Sequence, residues 1–287
     1  MYYVGIDAGG TKTDFLLCDE NEKQIKKITL GAGNPNDIGI DACIELLSAG
    51  LDELCVNLTP NAVFAGVSGG GYGENARRIR SFLEERFPNS KVENGSDVLN
   101  VIYSSESEGT VGALICGTGS VLFVRSMGEL FRFGGWGHLL EDGGSAYDIG
   151  RAALQALLDC EEYSPEQLST PLYSALRSYL GSSAHDALSE IYAKGKTYIA
   201  SLAPLVFEAH DKGDAVASSI IENNVNAVAV RIAMSFAICG EIEEIVCAGG
   251  LFNSAVFFEM LSKKIKIPLV RLSISPVLGA CRRAIKM

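Results

Sequence analysis

The sequence predicts an α/β protein made of two related halves, and three observations support this fold class. The chain has 287 residues, which is enough for about two domains of roughly 150 residues each. Short apolar runs typical of buried strands alternate with segments of helical periodicity. A pattern of strand, Gly/Thr turn, strand and strand occurs twice, around Asp7–Thr11 and around Cys116–Ser120. This weak internal repeat indicates a duplicated α/β unit.

The first half is predicted to open with an antiparallel meander of three strands, at 2–6, 15–18 and 23–30. A helix is predicted over 38–54, where apolar residues recur at helical spacing, with Asn36 and Asp37 as its caps. The elements that follow are a strand at 61–67, a helix at 74–87, a strand at 91–94 and a helix at 97–106. These elements form an N-terminal domain that we place at 1–109.

The second half restarts the pattern with strands at 111–116, 120–125 and 129–133. Helices are then predicted at 149–158, 167–180, 187–192, 197–209 and 215–238. A strand at 242–248, a helix at 254–265, a strand at 267–272 and a helix at 276–285 complete the chain. We place the C-terminal domain, with its helical insertion, at 110–275 and expect the terminal helix, 276–287, to pack back on the first domain.

The composition narrows the class of partner. Lys and Arg number 24 against 35 Asp and Glu, a net charge of −11, which argues against nucleic acid or an anionic membrane surface as the partner. No apolar run approaches the roughly 18–20 residues of a membrane span, and the first residues do not resemble a signal peptide. The eight cysteines are scattered without a C-x-x-C pair, so we expect buried thiols in a cytoplasmic protein.

Glycine is enriched and clustered at the predicted strand ends. The 31 glycines are about 11% of the chain, against a usual value of about 7%. Glycine turns at strand ends let backbone N–H groups approach a phosphate or another small ligand. The segment Asp7–Thr13 matches neither a Walker P-loop nor a dinucleotide fingerprint, so a phosphate-binding hairpin fits it better. The alternative is an ordinary Gly-Gly hairpin turn, with Lys12 as a solvated turn residue.

Several motifs resemble those of a known group of ATPases. Asp7–Thr13 resembles the first phosphate motif of the actin/hexokinase/Hsp70 superfamily, Cys116–Ser120 its second phosphate motif, and Ala248–Ser254 its adenosine motif. The blocks Ser68–Gly70, Arg86–Pro88, Gly135–His138 and Glu141–Tyr147 are similar to the N-acetylglucosamine kinase branch, which belongs with the BadF/BadG/BcrA/BcrD-type ATPases. The similarity spans nearly the whole chain, and the G-G-W-G-H block with its D-x-G-S sequel is its most specific part.

The resemblance implies two RNase-H-like (actin-like ATPase) domains around a central nucleotide and sugar cleft, with extra helices in the C-terminal domain. It implies an ATP-dependent kinase of a hexose or amino sugar, acting at the 6-hydroxyl, with Mg²⁺ as cofactor and a homodimer as the assembly. The residues that would bind ATP are Gly9, Gly10, Thr11, Thr118, Gly119, Gly213, Gly250 and Ser254. Asp7 would orient Mg²⁺ through water.

The resemblance also implies a catalytic base and a sugar site. Asp97 matches the family's catalytic Asp, where a carboxylate can accept the proton of the attacking sugar hydroxyl, while the alternative is a helix N-cap. The residues that would contact sugar are Asn34, Asp97, Ser120, Gly135, Trp136, Gly137 and Asp142. The alternatives are turn chemistry for Asn34, which precedes Pro35, and a loop anchor for Trp136.

One position departs from the family and leaves the sugar open. Val121 stands where the N-acetylglucosamine kinases carry a sugar-contacting Asn, so hydrogen bonds that identify the substrate are lost there. A first alternative function is a BadF-type ATPase that activates a radical acyl-CoA dehydratase, although such proteins carry cysteines that bind an iron–sulfur cluster. A second alternative is a sugar-sensing ATPase without kinase activity.

Overall fold

The computed structural model describes residues 1–287 and divides them into two compact units. Unit 1 comprises Met1–Glu108 together with Leu272–Met287, and unit 2 comprises Gly109–Arg271. The strands are β1 Tyr2–Ala8, β2 Thr13–Asp19, β3 Gln24–Leu30, β4 Ala62–Val67, β5 Lys91–Gly95, β6 Val111–Cys116, β7 Ser120–Ser126, β8 Glu129–Phe133, β9 Glu244–Ala248 and β10 Leu269–Arg271. The helices are α1 Pro35–Ile38, α2 Ile40–Leu54, α3 Gly73–Arg86, α4 Val98–Ile102, α5 Ala146–Tyr163, α6 Pro171–Leu180, α7 Leu188–Ala200, α8 Ala203–Asp211, α9 Ala215–Cys239, α10 Ala255–Lys264 and α11 Pro276–Ile285.

The two units are built on the same five-stranded sheet. In unit 1 the strand order is β3-β2-β1-β4-β5, and in unit 2 it is β8-β7-β6-β9-β10. In each sheet the first three strands along the chain form an antiparallel meander. The other two strands then add in parallel to the first strand. The α/β fold class predicted from the repeated turn pattern is confirmed, and the repeat is a repeat of sheet topology.

Helices cover both faces of the sheet in unit 1. Helix α2 packs its apolar stripe, which includes Leu47 and Leu51, on Phe15 and the other buried residues of that face. Helix α11 covers the opposite face with Val277, Ala280 and Cys281. The approach of α11 is close, because a Cβ placed on Gly5 would lie 2.5 Å from the backbone N of Cys281. Glycine in β1 therefore allows the last helix of the chain to sit directly on the sheet.

A single large core holds unit 2 together. Sheet residues such as Leu114 and Leu122 are buried in the same cluster as residues of α5 and α9. Helix α9 spans 25 residues and packs along β7 and β8. Because so many helices share one core with the sheet, they form part of the unit and are not peripheral additions.

The structure corrects several details of the predicted helices. Asn36 and Asp37 are not the caps: Asn34 caps α1 by accepting a 3.0 Å hydrogen bond from the backbone N of Asn36. Gly39, at φ 85°, then separates α1 from α2. The boundary between the two helices predicted at 187–192 and 197–209 lies later in the chain, between α7 (Leu188–Ala200) and α8 (Ala203–Asp211). Helix α7 continues past Gly195, although the backbone there is non-helical, with φ 65° and ψ −151°.

Two general expectations can be compared with the structure. All eight cysteines are buried, as predicted from their scattered positions. No helix combines the length and the apolar character that crossing a membrane would require.

Candidate active site

The carboxyl ends of parallel strands gather the predicted residues of unit 1 at one edge of its sheet. Strands β1, β4 and β5 run parallel, so Asp7 near the end of β1, the loop 68–71 after β4 and Asp97 after β5 lie at the same edge. In open α/β sheets this edge is where ligands bind. The sequence separates these segments by up to ninety residues, and the topology brings them together.

The turn between β1 and β2 is tight and accessible. The backbone N of Gly9 donates to the carbonyl of Lys12 at 2.9 Å, which closes the turn. Gly10 and Thr11 are exposed at its tip. The alternative of an ordinary hairpin turn describes this hydrogen bonding equally well, but the exposed amides and the Thr11 hydroxyl are also free to meet an anion. Lys12 is not merely solvated, because its ammonium donates to the buried carboxylate of Asp14 at 2.8 Å.

Asp7 is a partly buried carboxylate with one specific partner. Its Oδ1 accepts a 2.7 Å hydrogen bond from Nδ2 of the fully buried Asn100. Burial raises the pKa of Asp7 to about 6; the Asn100 hydrogen bond opposes this rise, and the negative charge of Asp97 adds to it. The structure gives the second oxygen of Asp7 no protein donor, so that oxygen can accept hydrogen bonds from the water of a hydrated cation. Asn100, which sequence reasoning missed, orients the carboxylate.

Asp97 sits at the start of α4, and the structure shows that it caps this helix. Its Oδ1 accepts from the backbone N of Val98 at 3.0 Å and from the hydroxyl of Ser96 at 3.1 Å, so it does cap the helix. Burial raises the pKa of Asp97, although hydrogen bonds from Ser96, Ser68 and the backbone oppose the rise. A carboxylate whose pKa moves toward neutrality beside a second carboxylate is a recognised pattern at functional sites.

Asn34 faces the same edge and performs turn chemistry at the same time. Its Oδ1 caps α1, as described above, and a Cβ on Gly69 would lie 2.4 Å from this oxygen. Gly69 has a φ of 70°, so both space and conformation require glycine in the loop after β4. Asn75 fixes this loop further by donating to the carbonyl of Gly69 at 3.1 Å. The amide group of Asn34 thus lies at the loop after β4. The same side chain also makes the capping hydrogen bond of the turn that begins α1.

Unit 2 repeats this arrangement at the carboxyl ends of β6 and β9. The turn Gly117–Gly119 is closed by a 2.8 Å hydrogen bond from the N of Gly117 to the carbonyl of Gly119. Gly249 follows β9 with a φ of 102°, and a Cβ there would lie 2.4 Å from the carbonyl oxygen of Cys116. The second phosphate motif and the adenosine motif therefore touch each other, as parallel neighbours must.

A cavity of about 760 Å³ opens beside these two turns. It lies within the usual range of about 300–1,000 Å³ for small-molecule sites. The lining residues are Gly117, Thr118, Ala146, Thr197, Ala200, Ser201, Ala203, Pro204, Phe207, Glu208, Gly250, Leu251, Asn253 and Ser254. Thr118, Gly250 and Ser254 are among the residues predicted to bind ATP, whereas the wall that α7 and α8 contribute was not predicted.

Gly213 lies apart from this lining. It occupies the turn between α8 and α9 with a φ of 84°, and its N donates to the carbonyl of His210 at 2.8 Å. This geometry explains a glycine at that position by the turn alone.

The loop carrying Gly135, Trp136 and Gly137 is held by a buried arginine. Arg231 of α9 is 8% exposed; it forms an ion pair with Glu141 and donates to the Ser120 hydroxyl at 2.7 Å. Glu141 in turn accepts a 2.8 Å hydrogen bond from the N of Gly135. Arg231 therefore connects α9, β7 and the loop that carries Glu141. No sequence motif indicates this role.

Trp136 is 60% exposed. The guanidinium of Arg132 lies 4.5 Å from the centre of its ring, so one face of the indole is covered by a cation. This contact agrees with the loop-anchor alternative and leaves the rest of the exposed indole available to a ligand. Val121 packs against the same loop, since a Cβ on Gly135 would lie 2.6 Å from the Val121 Cβ.

Asp142 and Ser120 are placed close together and mostly buried. The Oδ1 of Asp142 accepts a 2.7 Å hydrogen bond from the backbone N of Ser120, and its Oδ2 accepts one of 2.9 Å from Nζ of Lys196. Asp142 is 6% exposed and Ser120 is 2% exposed. Both residues therefore hold the phosphate turn and the glycine loop in place through buried hydrogen bonds. Lys196 is a further partner of Asp142 that the sequence motifs do not indicate.

Comparison with known proteins provides the remaining evidence. The chain is 30% identical over 271 residues to an N-acetylmuramic acid/N-acetylglucosamine kinase of Clostridium acetobutylicum, covering 88% of this chain and 86% of that protein. It is 27% identical over 292 residues to an N-acetyl-D-glucosamine kinase of Dictyostelium discoideum, covering 92% and 89%.

Solved structures share the fold. A ROK hexokinase from Thermus thermophilus superimposes with a TM-score of 0.61 at 19% identity, covering 99% of this chain and 98% of that one. A ROK family glucokinase from Streptomyces griseus, in complex with glucose and AMPPNP, gives a TM-score of 0.56 at 14% identity with both chains fully covered. The sequence profile of one family matches residues 4–281. The chain therefore belongs to the BadF/BadG/BcrA/BcrD ATPase family.

Proposed function

We propose that this protein transfers the γ-phosphate of ATP to the 6-hydroxyl of an N-acetylated amino sugar, with Asp97 as the general base. Its family and its two relatives make it an ATP-dependent carbohydrate kinase. Both relatives act on N-acetylated amino sugars by their names, which supports this class of acceptor. N-Acetylglucosamine and N-acetylmuramic acid are the two acceptors to test first.

The environment of Asp97 is the observation that carries the assignment of the base. A general base needs a sufficiently high proton affinity to accept the proton of the sugar hydroxyl as its oxygen attacks phosphorus. Burial raises the pKa of both acids, and the negative charge of Asp97 adds to the rise at Asp7. The capping bonds use Oδ1 of Asp97, so the cap fixes the orientation of the carboxyl group and is compatible with a catalytic role.

Each unit carries a glycine turn that we assign to the phosphates of ATP. In unit 1 the exposed turn formed by Gly9, Gly10 and Thr11 offers amides and a hydroxyl to phosphate. In unit 2 Thr118 and Gly119 offer the same chemistry, and Gly250 and Ser254 line the cavity of about 760 Å³ assigned to the adenosine. Small residues at these positions leave room for the triphosphate.

Mg²⁺ would be held near Asp7. The residues fit a hydrated ion, because the partly buried carboxylate is oriented by Asn100 through one oxygen only. When bound, the cation neutralises charge on the phosphates. The chain's own contribution is to hold the Asp7 carboxylate in position at the end of β1.

The sugar would contact Asn34, Gly135, Trp136 and Gly137, with Asp142 and Ser120 close beneath. Arg231 and Glu141 hold the glycine loop in one conformation, which pre-organises the site. Val121 offers an apolar surface in place of an amide, so we expect recognition to depend more on the loop backbone than on this strand.

The alternative of a dehydratase activator receives no support from the cysteines. Such an activator needs thiolates that can reach an iron–sulfur cluster, whereas all eight cysteines here are buried. Burial raises the pKa of Cys43 and Cys55 to about 11, which favours the neutral thiol over the thiolate ligand.

The test is an ADP-release assay with a panel of hexoses and N-acetylated amino sugars in Mg²⁺-ATP. We expect stimulation by at least one amino sugar, and NMR of the product to show phosphate at the 6-position. Asp97→Asn should lower kcat by about 10²- to 10⁴-fold, the usual contribution of a general base. Asp214→Asn is the matched control, since Asp214 caps α9 with a 3.0 Å bond from the N of Ala217. If both variants lose only stability and keep kcat, the assignment of the base is wrong.

A further inference from the structure

The side chain of Lys196 is held beside the second phosphate turn by an unusual piece of helix. Gly195 breaks α7 with non-helical angles, and Lys196 follows directly after the break. Its ammonium lies 2.9 Å from Oδ2 of Asp142, and the Lys196 side chain is 31% exposed. The charge is therefore fixed in position while part of the side chain still faces solvent.

This ammonium is adjacent to the glycine turn. A Cβ placed on Gly119 would lie 3.5 Å from Nζ of Lys196 and 3.1 Å from Oδ1 of Asp142. The next residue, Thr197, lines the cavity together with Gly117 and Thr118. One turn of α7 thus contributes to the cavity wall and places a cation at the edge of the phosphate turn.

The cavity itself has no positive charge to offer a nucleotide. Glu208 is the one ionisable residue of its lining, and it is acidic. The whole chain carries a net charge of −11, which also opposes the approach of a polyanion. A single ammonium near the turn would therefore contribute strongly to holding the outer phosphates.

The partner of Lys196 can release it without being left unpaired. Asp142 keeps its 2.7 Å hydrogen bond from the N of Ser120 through the other oxygen. An ammonium group has three donors on a flexible stem, so Lys196 can share itself between Asp142 and a phosphate oxygen.

We propose that Lys196 is a nucleotide-binding residue whose ammonium, oriented by Asp142 beside Gly119, contacts the outer phosphates of ATP. This inference rests on the proposed nucleotide site and adds to it a residue that no motif indicated. The Lys196–Asp142 pair also joins the phosphate turn to a residue assigned to the sugar, so one contact connects the two subsites of unit 2.

The experiment measures the dissociation constants of Mg²⁺-ATP, ADP and AMP by titration calorimetry in the absence of sugar. Lys196→Met should weaken ATP and ADP by about 10- to 100-fold, the value of one charge-assisted hydrogen bond, and leave AMP unchanged. Lys196→Arg should keep most of the affinity. The control is Lys194→Met on the same helix, which removes an exposed lysine paired with Glu190 and should change none of the three constants.

A second variant separates phosphate binding from simple neutralisation of Asp142. If Lys196 only compensates the buried carboxylate, the double variant Asp142→Asn/Lys196→Met should recover the wild-type affinity for ATP, and this result would overturn the proposal. We expect the double variant to stay as weak as Lys196→Met. Unchanged ATP affinity in Lys196→Met, or an equal loss for AMP, would also refute it. The outcomes above refute only the role of Lys196. A wild-type protein that binds no ATP would instead refute the proposed function itself.

Discussion

Asp7 and Asp14 occupy directly paired positions on β1 and β2, yet their carboxylates lie in opposite electrostatic environments. Asp7 has one amide partner, Asn100, and burial raises its pKa to about 6. Burial also acts on Asp14, but hydrogen bonds from Lys12 and Thr29 and the charge of Lys27 outweigh it and lower its pKa. We therefore expect replacement by the isosteric Asn to have opposite effects on stability at the two positions.

The sign and size of the effect follow from the pKa of Asp7. The difference between about 6 in the folded protein and the ordinary 3.8 corresponds to about 3 kcal/mol of destabilisation when the carboxylate is charged. Asp7 is partly solvated, so we expect Asp7→Asn to stabilise the nucleotide-free protein by about 1–2 kcal/mol near neutral pH. The gain should shrink as the pH falls from 6 to 3.8 and vanish below, where Asp7 is protonated in both states.

Asp14→Asn should behave in the reverse way. A carboxylate with a lowered pKa stabilises the folded state above its unfolded pKa and loses this contribution as the pH falls. Removing its charge-assisted hydrogen bonds should destabilise the protein by about 1–3 kcal/mol near neutral pH. Urea unfolding at a series of pH values, with EDTA and without nucleotide, measures both effects. A less stable Asp7→Asn protein near neutral pH, or a gain independent of pH, would refute the reasoning.

Two further predictions concern packing and the glycine loop. Gly279→Ala should destabilise the protein by at least about 2 kcal/mol, because its Cβ would lie 2.0 Å from the carbonyl oxygen of Asn100; thermal unfolding measures this. Gly31→Ala is the control and should be nearly neutral, since a Cβ there meets nothing within 4 Å, and equal losses in both would contradict the packing argument. Arg231→Lys should raise KM for the sugar about tenfold and leave KM for ATP unchanged, because it loses the fork that reaches Ser120, Glu141 and Gly143. Glu141→Gln should give a smaller change of the same kind, and a rise confined to the KM for ATP would refute the role given to Arg231.

The part of the fold that the sequence predicts is the part set by local chemistry. Each meander of strands and each glycine turn is specified by residues that are neighbours in the chain. The repeat that begins near Cys116 could therefore be predicted from the sequence. The residue that caps α1 could not be predicted from local sequence, since Asn34, Asn36 and Asp37 are all suitable residue types. Only the backbone angles at Asn34, which follow from the packing of the whole segment, select it.

The motifs indicate candidate site residues that are close together in the chain, and they do not indicate the partners that distant segments supply. Asn100 lies 93 residues from Asp7, Lys196 lies 54 from Asp142, and Arg231 lies 111 from Ser120. Each of these residues belongs to a helix whose periodicity explains its position without reference to a ligand. No local pattern indicates such a partner, because the contact exists only after the sheet and its helices have packed.

The close seating of α11 on β1 has a consequence for the order in which the molecule can be made. The ribosome releases the strands of unit 1 before unit 2, and the residues of α11 only after all of unit 2. Until then one face of the first sheet, including Tyr3, Leu16 and Phe64, has no cover, and exposed apolar strands of this kind favour association with other chains. Unit 2 can bury its own core before α11 is made, whereas the first sheet of unit 1 is covered on both faces only after α11 has been made.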